Sequence, residues 1–156
     1  MVGRVWPRHS GGGRPLNSVV SWHLMSSDLA ISATGGIARE ARCVVLYARV
    51  ADGVIPDQGY AIRDSLNSAE TIGWWFLNPG AFVAVFAWEA SGAERASSCE
   101  ASLKHLNVEH PSWPNVAVGI AEGVLFGAFT RAGILESMPT GAVVLAAMQR
   151  ASANAS

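Results

Sequence analysis

From Cys43 to Ala48 every side chain is apolar whichever parity is followed, and such a run reads as a strand buried on both faces. It predicts a central strand over 43–50 that ends before Asp52-Gly53. Pro56-Asp57 suits a helix start, and Ile62, Leu66 and Ala69 then recur at i, i+4, i+7 while Arg63, Asp64 and Asn67 fall on the opposite side. Thr71 to Leu77 is rich in strand formers, and in 81–87 Phe82, Ala84 and Phe86 alternate with Val83 and Val85. Between them Asn78-Pro79-Gly80 predicts a hairpin turn, with proline presetting one φ and glycine supplying a positive φ at the next position.

Ser91-x-x-Glu94 has capping-box spacing, and Ala96, Cys99, Leu103 and Leu106 follow along one helical face. His110-Pro111 stops that helix. Val116, Val118 and Ile120 alternate as a strand, Glu122-Gly123 is expected to turn, and Val124-Leu125-Phe126 to start a partner strand. Over 141–150 the residues Val144, Ala147 and Met148, with Ala151 just beyond, share one helical face. The order strand, helix, hairpin, helix, hairpin, helix predicts an α+β fold. It is expected as a ferredoxin-like sandwich, a mostly antiparallel sheet with its helices on one face.

A chain of 156 residues suits a single domain, expected over residues 25–156. Residues 1–24 carry Trp6-Pro7 and Gly11-Gly12-Gly13 without periodicity and are expected as a flexible tail. Between them Leu29, Ile31, Ile37 and Ala38 form an apolar set that Thr34-Gly35-Gly36 breaks, so no one element is assigned there. Half of the residues are hydrophobic and 15% are charged, which excludes wholesale disorder. A net charge of −1 gives no footprint for nucleic acid or an anionic membrane surface. The most apolar stretch is interrupted at Asn78-Pro79-Gly80, so no membrane span is expected. With Arg4, Arg8 and a glycine run where an export signal needs an apolar core, a cytoplasmic location is expected.

Candidate chemistry is sparse. Cys43 and Cys99 lie too far apart for a metal clip and fall in apolar patterns, as buried thiols do. His105, Glu109 and His110 lack helical ligand spacing, and Pro111 breaks the geometry beside them. Gly11-Gly12-Gly13-Arg14 and Thr34-Gly35-Gly36 lack the Gly-Lys-Ser/Thr ending of a phosphate loop, and no Gly-x-Ser-x-Gly elbow occurs.

Over residues 43–151 the chain resembles the class III adenylate and guanylate cyclase catalytic domain. Val44-Val45-Leu46-Tyr47-Ala48-Arg49 is similar to that family's opening strand and Asn78-Pro79-Gly80-Ala81-Phe82-Val83 to its central hairpin. Val118-Gly119-Ile120-Ala121-Glu122-Gly123 is similar to its Gly-Ile-x-x-Gly segment, and Gly141 to Met148 to its last helix. The resemblance implies that Arg49 and Ala81 stand where the two metal-holding aspartates belong, and Leu77 where a base-reading lysine belongs. It places Val144 and Met148 at the transition-state asparagine and arginine, and finds no counterpart for the family's final strands.

Two-metal phosphoryl chemistry needs carboxylates for the ions and donors at the transferring phosphate; the Arg49 guanidinium repels the ions, and valine and methionine cannot donate. The expectation is a catalytically degenerate domain acting as a regulatory or protein-interaction module, with no cofactor or metal. Its partner is expected to be a second copy or another protein. The alternatives are a purine nucleotide-binding or active cyclase completed by a partner or by Asp52, and an unrelated ferredoxin-like small-ligand binder. Trp74 and Trp75 are adjacent in a strand and must point to opposite faces, so one enters the helix-covered core. The other, with Trp88, is a candidate interface unless the N-terminal segment covers it.

Overall fold

A computed structural model describes residues 36–155; the expectations for residues 1–24, for Leu29 and Ile31, and for an N-terminal cover lie outside the described residues. The elements run β1 (Ile37–Val50), α1 (Pro56–Ser68), β2 (Gly73–Asn78), β3 (Ala81–Ala87), α2 (Gly92–Glu109), β4 (Val116–Phe129) and α3 (Ala142–Ala153). The strands form one antiparallel sheet in the order β2-β3-β1-β4, giving the expected α+β fold. The apolar run of Cys43–Ala48 sits at its centre, hydrogen-bonded to β3 on one side and β4 on the other.

Alternation along β1 divides the interior in two. Val44, Leu46, Ala48 and Val50 pack with Ile62 and Leu66 of α1 and with Ala96, Cys99, Leu103 and Leu106 of α2. Cys43, Val45 and Tyr47 face the other way, onto Val143, Val144, Ala147 and Ala151 of α3. The expectation of all helices on one face therefore holds for α1 and α2 and is corrected for α3. A strand apolar at both parities needs cover on both sides, and α3 supplies it on the second.

A second correction concerns Glu122-Gly123. Instead of turning there, β4 continues for 14 residues and pairs along its whole length with β1, from Val116 opposite Val50 to Phe129 opposite Ile37. The glycines serve a different purpose: a β-carbon on Gly123 would lie 3.0 Å from the Val143 side chain, and one on Gly119 would collide with the α3 backbone at Ala147 and Ala151. They admit a helix against the strand. The first half of the outer edge of β4 is in turn met by side chains, since Arg150 Nη1 donates to Ile120 O at 2.6 Å and Asn154 Nδ2 to Val118 O at 2.9 Å. Asn107 completes this edge from α2, donating to Val116 O at 3.2 Å and accepting from Val116 N at 2.9 Å.

Helix α2 starts where expected, though without the capping box. Ser91 occupies the cap position at φ 58, a left-handed conformation in which its hydroxyl makes no capping bond.

Both cysteines are free and buried on opposite sides of the sheet. Burial pushes the thiol of Cys43 up from 9.0 to about 11 and that of Cys99 to about 12. Because the folded values lie above the unfolded one, the neutral thiols' contribution to stability is full below pH 9. It falls above that, as the unfolded chain releases its protons first, and is lost by about pH 11 to 12. At pH 8 neither thiol of the native protein should react with an aromatic disulfide reagent, and both should react in urea. Native-state labelling as fast as in urea contradicts this burial.

Candidate functional site

The turn joining β2 to β3 meets the end of β1. Val50 N donates to Gly80 O at 2.8 Å, and Val54 N to Pro79 O at 3.1 Å, so the loop leaving β1 and the hairpin turn are joined by their backbones. Asn78 Oδ1 accepts from Gly80 N at 2.9 Å and shapes the turn. Gly80 is not among the positive-φ residues, contrary to the expectation for this turn. Glycine is needed because a β-carbon would stand 2.9 Å from Val50 O.

This junction places Arg49 directly opposite Ala81 as a cross-strand pair, and such partners share a face of the sheet. The face is the one covered by α3. Ala81 and Val144 are buried in its cluster, Leu77 and Met148 pack half-buried against it, and Arg49 is exposed. All five positions singled out in the sequence thus lie on one side of the sheet. What they assemble is an apolar surface with one guanidinium, which makes no ion pair with any described residue. A metal pair does not fit there, because a cation and a methyl group occupy the facing positions and neither donates an electron pair. Among the described residues no group of three or more His, Cys, Asp or Glu side chains is placed to hold a metal ion.

Asp52 sits in the turn after β1, exposed and left-handed at φ 61. The tryptophans separate as alternation requires: Trp74 enters the cluster under α1 and α2, and Trp75 the cluster under α3. Both are buried, Trp75 fully, and Trp74 Nε1 donates to Asn67 Oδ1 at 3.1 Å. Trp88 is half-buried with the Arg42 guanidinium 3.9 Å above its ring. Among the described residues the apolar side chains that reach the surface include Val108, Val124, Leu145, Tyr60 and Phe126, none of them an interface candidate in the sequence reading. His105 lies 3.6 Å from Glu109, and His110 stacks on Trp113 at 3.7 Å.

Two solved structures are similar to this chain in fold. One is a bacterial light-regulated adenylyl cyclase, 8% identical, matched over 74% of this chain and 39% of that one at a TM-score of 0.51. The other is the guanylyl cyclase Cya2, 12% identical over 76% of this chain and 72% of that one at a TM-score of 0.50. The chain shares their fold. It spans well under half of the light-regulated enzyme. No protein-family model matches the sequence, and no curated protein matches it. Within this cyclase-like fold, no helix among the described residues is long and apolar enough to cross a membrane.

Proposed function

We propose that this cyclase-like domain is a regulatory or protein-interaction module that forms no cyclic nucleotide. The observation that carries the reading is the facing pair Arg49 and Ala81. The resemblance assigns metal-holding carboxylates to these two positions, and a guanidinium there repels the ions that would activate a hydroxyl and clamp a triphosphate. Leu77, Val144 and Met148 support the reading in the same way, since no side chain among them donates the hydrogen bonds that stabilise charge on a transferring phosphoryl group. The partner is a second copy of the chain or a similar domain, as the resemblance implies.

Thermal unfolding with ATP or GTP, each with Mg²⁺ or Mn²⁺, tests this against metal alone. The expected result is an unchanged midpoint, whereas a ligand at about a hundred times its dissociation constant adds roughly 2.7 kcal/mol and raises Tm by several degrees. A nucleotide-dependent rise, followed by turnover that Asp52→Asn abolishes, would establish an enzyme with an unconventional site instead.

A further inference from the structure

On the side of the sheet away from Arg49, a cavity of about 190 Å³ opens between the start of α1 and the β2–β3 hairpin. Its walls are aromatic: Tyr60 comes from α1, Trp74 and Phe76 from β2, and Phe82 from β3. Phe76 and Phe82 stack at 4.7 Å, and the Trp74 N–H is already used by Asn67, so the hairpin rings offer faces rather than polar edges, while the Tyr60 ring lies 5.1 Å from the Arg63 guanidinium. The charge nearby is matched as well, because Arg63 at the rim pairs with Asp64 at 3.1 Å.

Gly59 lines the same cavity from the first turn of α1. Glycine is the least favourable ordinary residue in a helix after proline, so its presence even in a first turn raises the question of a reason in φ or in space. Neither is found in the protein's own packing. Its φ is not positive, and an added β-carbon would meet nothing closer than the Val54 methyls at 3.7 and 3.9 Å, an ordinary contact. The missing side chain keeps open a volume that no described residue fills.

The geometry points to a binding site for a small, uncharged aromatic molecule in this cavity, admitted by Gly59 and held between Tyr60 and the rings of the hairpin. The size supports one ring or a fused pair, since an apolar cavity of about 150 Å³ accepts benzene. The lining supports an uncharged ligand, because a charged one would lose hydration without gaining a free counter-charge. This site is independent of the reading of the Arg49 face.

Fluorine NMR of fluoroindole added to the full chain tests it. The expected result is saturable line broadening that is at least tenfold weaker with Gly59→Leu, whose side chain fills the cavity, while Tm stays equal or rises. Tyr60→Ala, at a position 53% exposed, should weaken binding without moving Tm and decides the matter if the leucine variant fails to fold. No saturable broadening with the natural chain, or equal broadening with Tyr60→Ala, overturns the proposal.

Discussion

Gly119→Ala is expected to destabilise the protein by about 3 kcal/mol, the upper part of the range for overpacking a tight interior. The added methyl meets only backbone, namely Ala147 O, Ala151 N and, at 2.9 Å, Arg150 C, and a helix backbone cannot swing aside as a side-chain tip can. The whole of α3 must lift from β4. Lifting it also stretches the Arg150 and Asn154 bonds to the edge of β4 and loosens the packing of Val144 and Ala147 on β1. Urea unfolding should show the loss as a lower midpoint at unchanged slope, with Tm down by roughly 10 °C. A midpoint within about 0.5 kcal/mol of the natural protein, the ordinary scatter for surface changes, contradicts the close approach of α3 to Gly119.

Trp75→Ser is expected to cost at least as much, about 3 to 5 kcal/mol, as large-to-small changes of a buried tryptophan do. Trp75 is fully buried with Val83, Val85, Phe129 and Leu135 around it, and a β-carbon on neighbouring Gly73 would stand 2.5 Å from its ring, which measures how little space is left. Serine leaves a cavity and places a hydroxyl in apolar surroundings. The measurement is urea unfolding beside size-exclusion elution. A loss below about 1 kcal/mol with an altered elution volume would show that the indole serves an interface rather than the interior.

Much of this fold is legible in local pattern because its strongest signals are local. The both-face apolar run of β1, the apolar face of α2 from Ala96 to Leu106 and the Asn78-Pro79-Gly80 hairpin each carry their reason within a few residues. The error at Glu122-Gly123 has a definite cause. A glycine within a strand signals either a turn or the close approach of another segment, and only the second applies at Gly119 and Gly123, where the segment is the distant helix α3. The placement of α3 was implicit in β1 itself, since a strand buried on both faces requires two covering layers. Ser91 shows the same limit at a cap: the spacing to Glu94 was present, but the left-handed backbone imposed by the preceding turn removed the bond. At the candidate site, resemblance picked out five positions, and only the structure shows that they share a face and that Arg49 and Ala81 stand opposite each other. The aromatic cavity was not legible at all, because Gly59 and Phe82 become neighbours of one space only after α1 folds onto the hairpin.

The pairing of β1 with β4 sets a timetable for synthesis on the ribosome. Residues 37–50 emerge early and find β3 soon afterwards, but their other edge waits for residues 116–129. At about 5 to 20 residues per second, the interval between the end of β3 and the end of β4 is roughly 2 to 8 seconds. Through that time the nascent chain exposes one unpaired edge of its most apolar strand, a template for pairing with any other extended chain. Side chains of Arg150 and Asn154 that later meet the first half of the β4 edge arrive later still. A message cut short before residue 116 therefore leaves a sticky fragment, so full-length translation is the protein's first safeguard against aggregation.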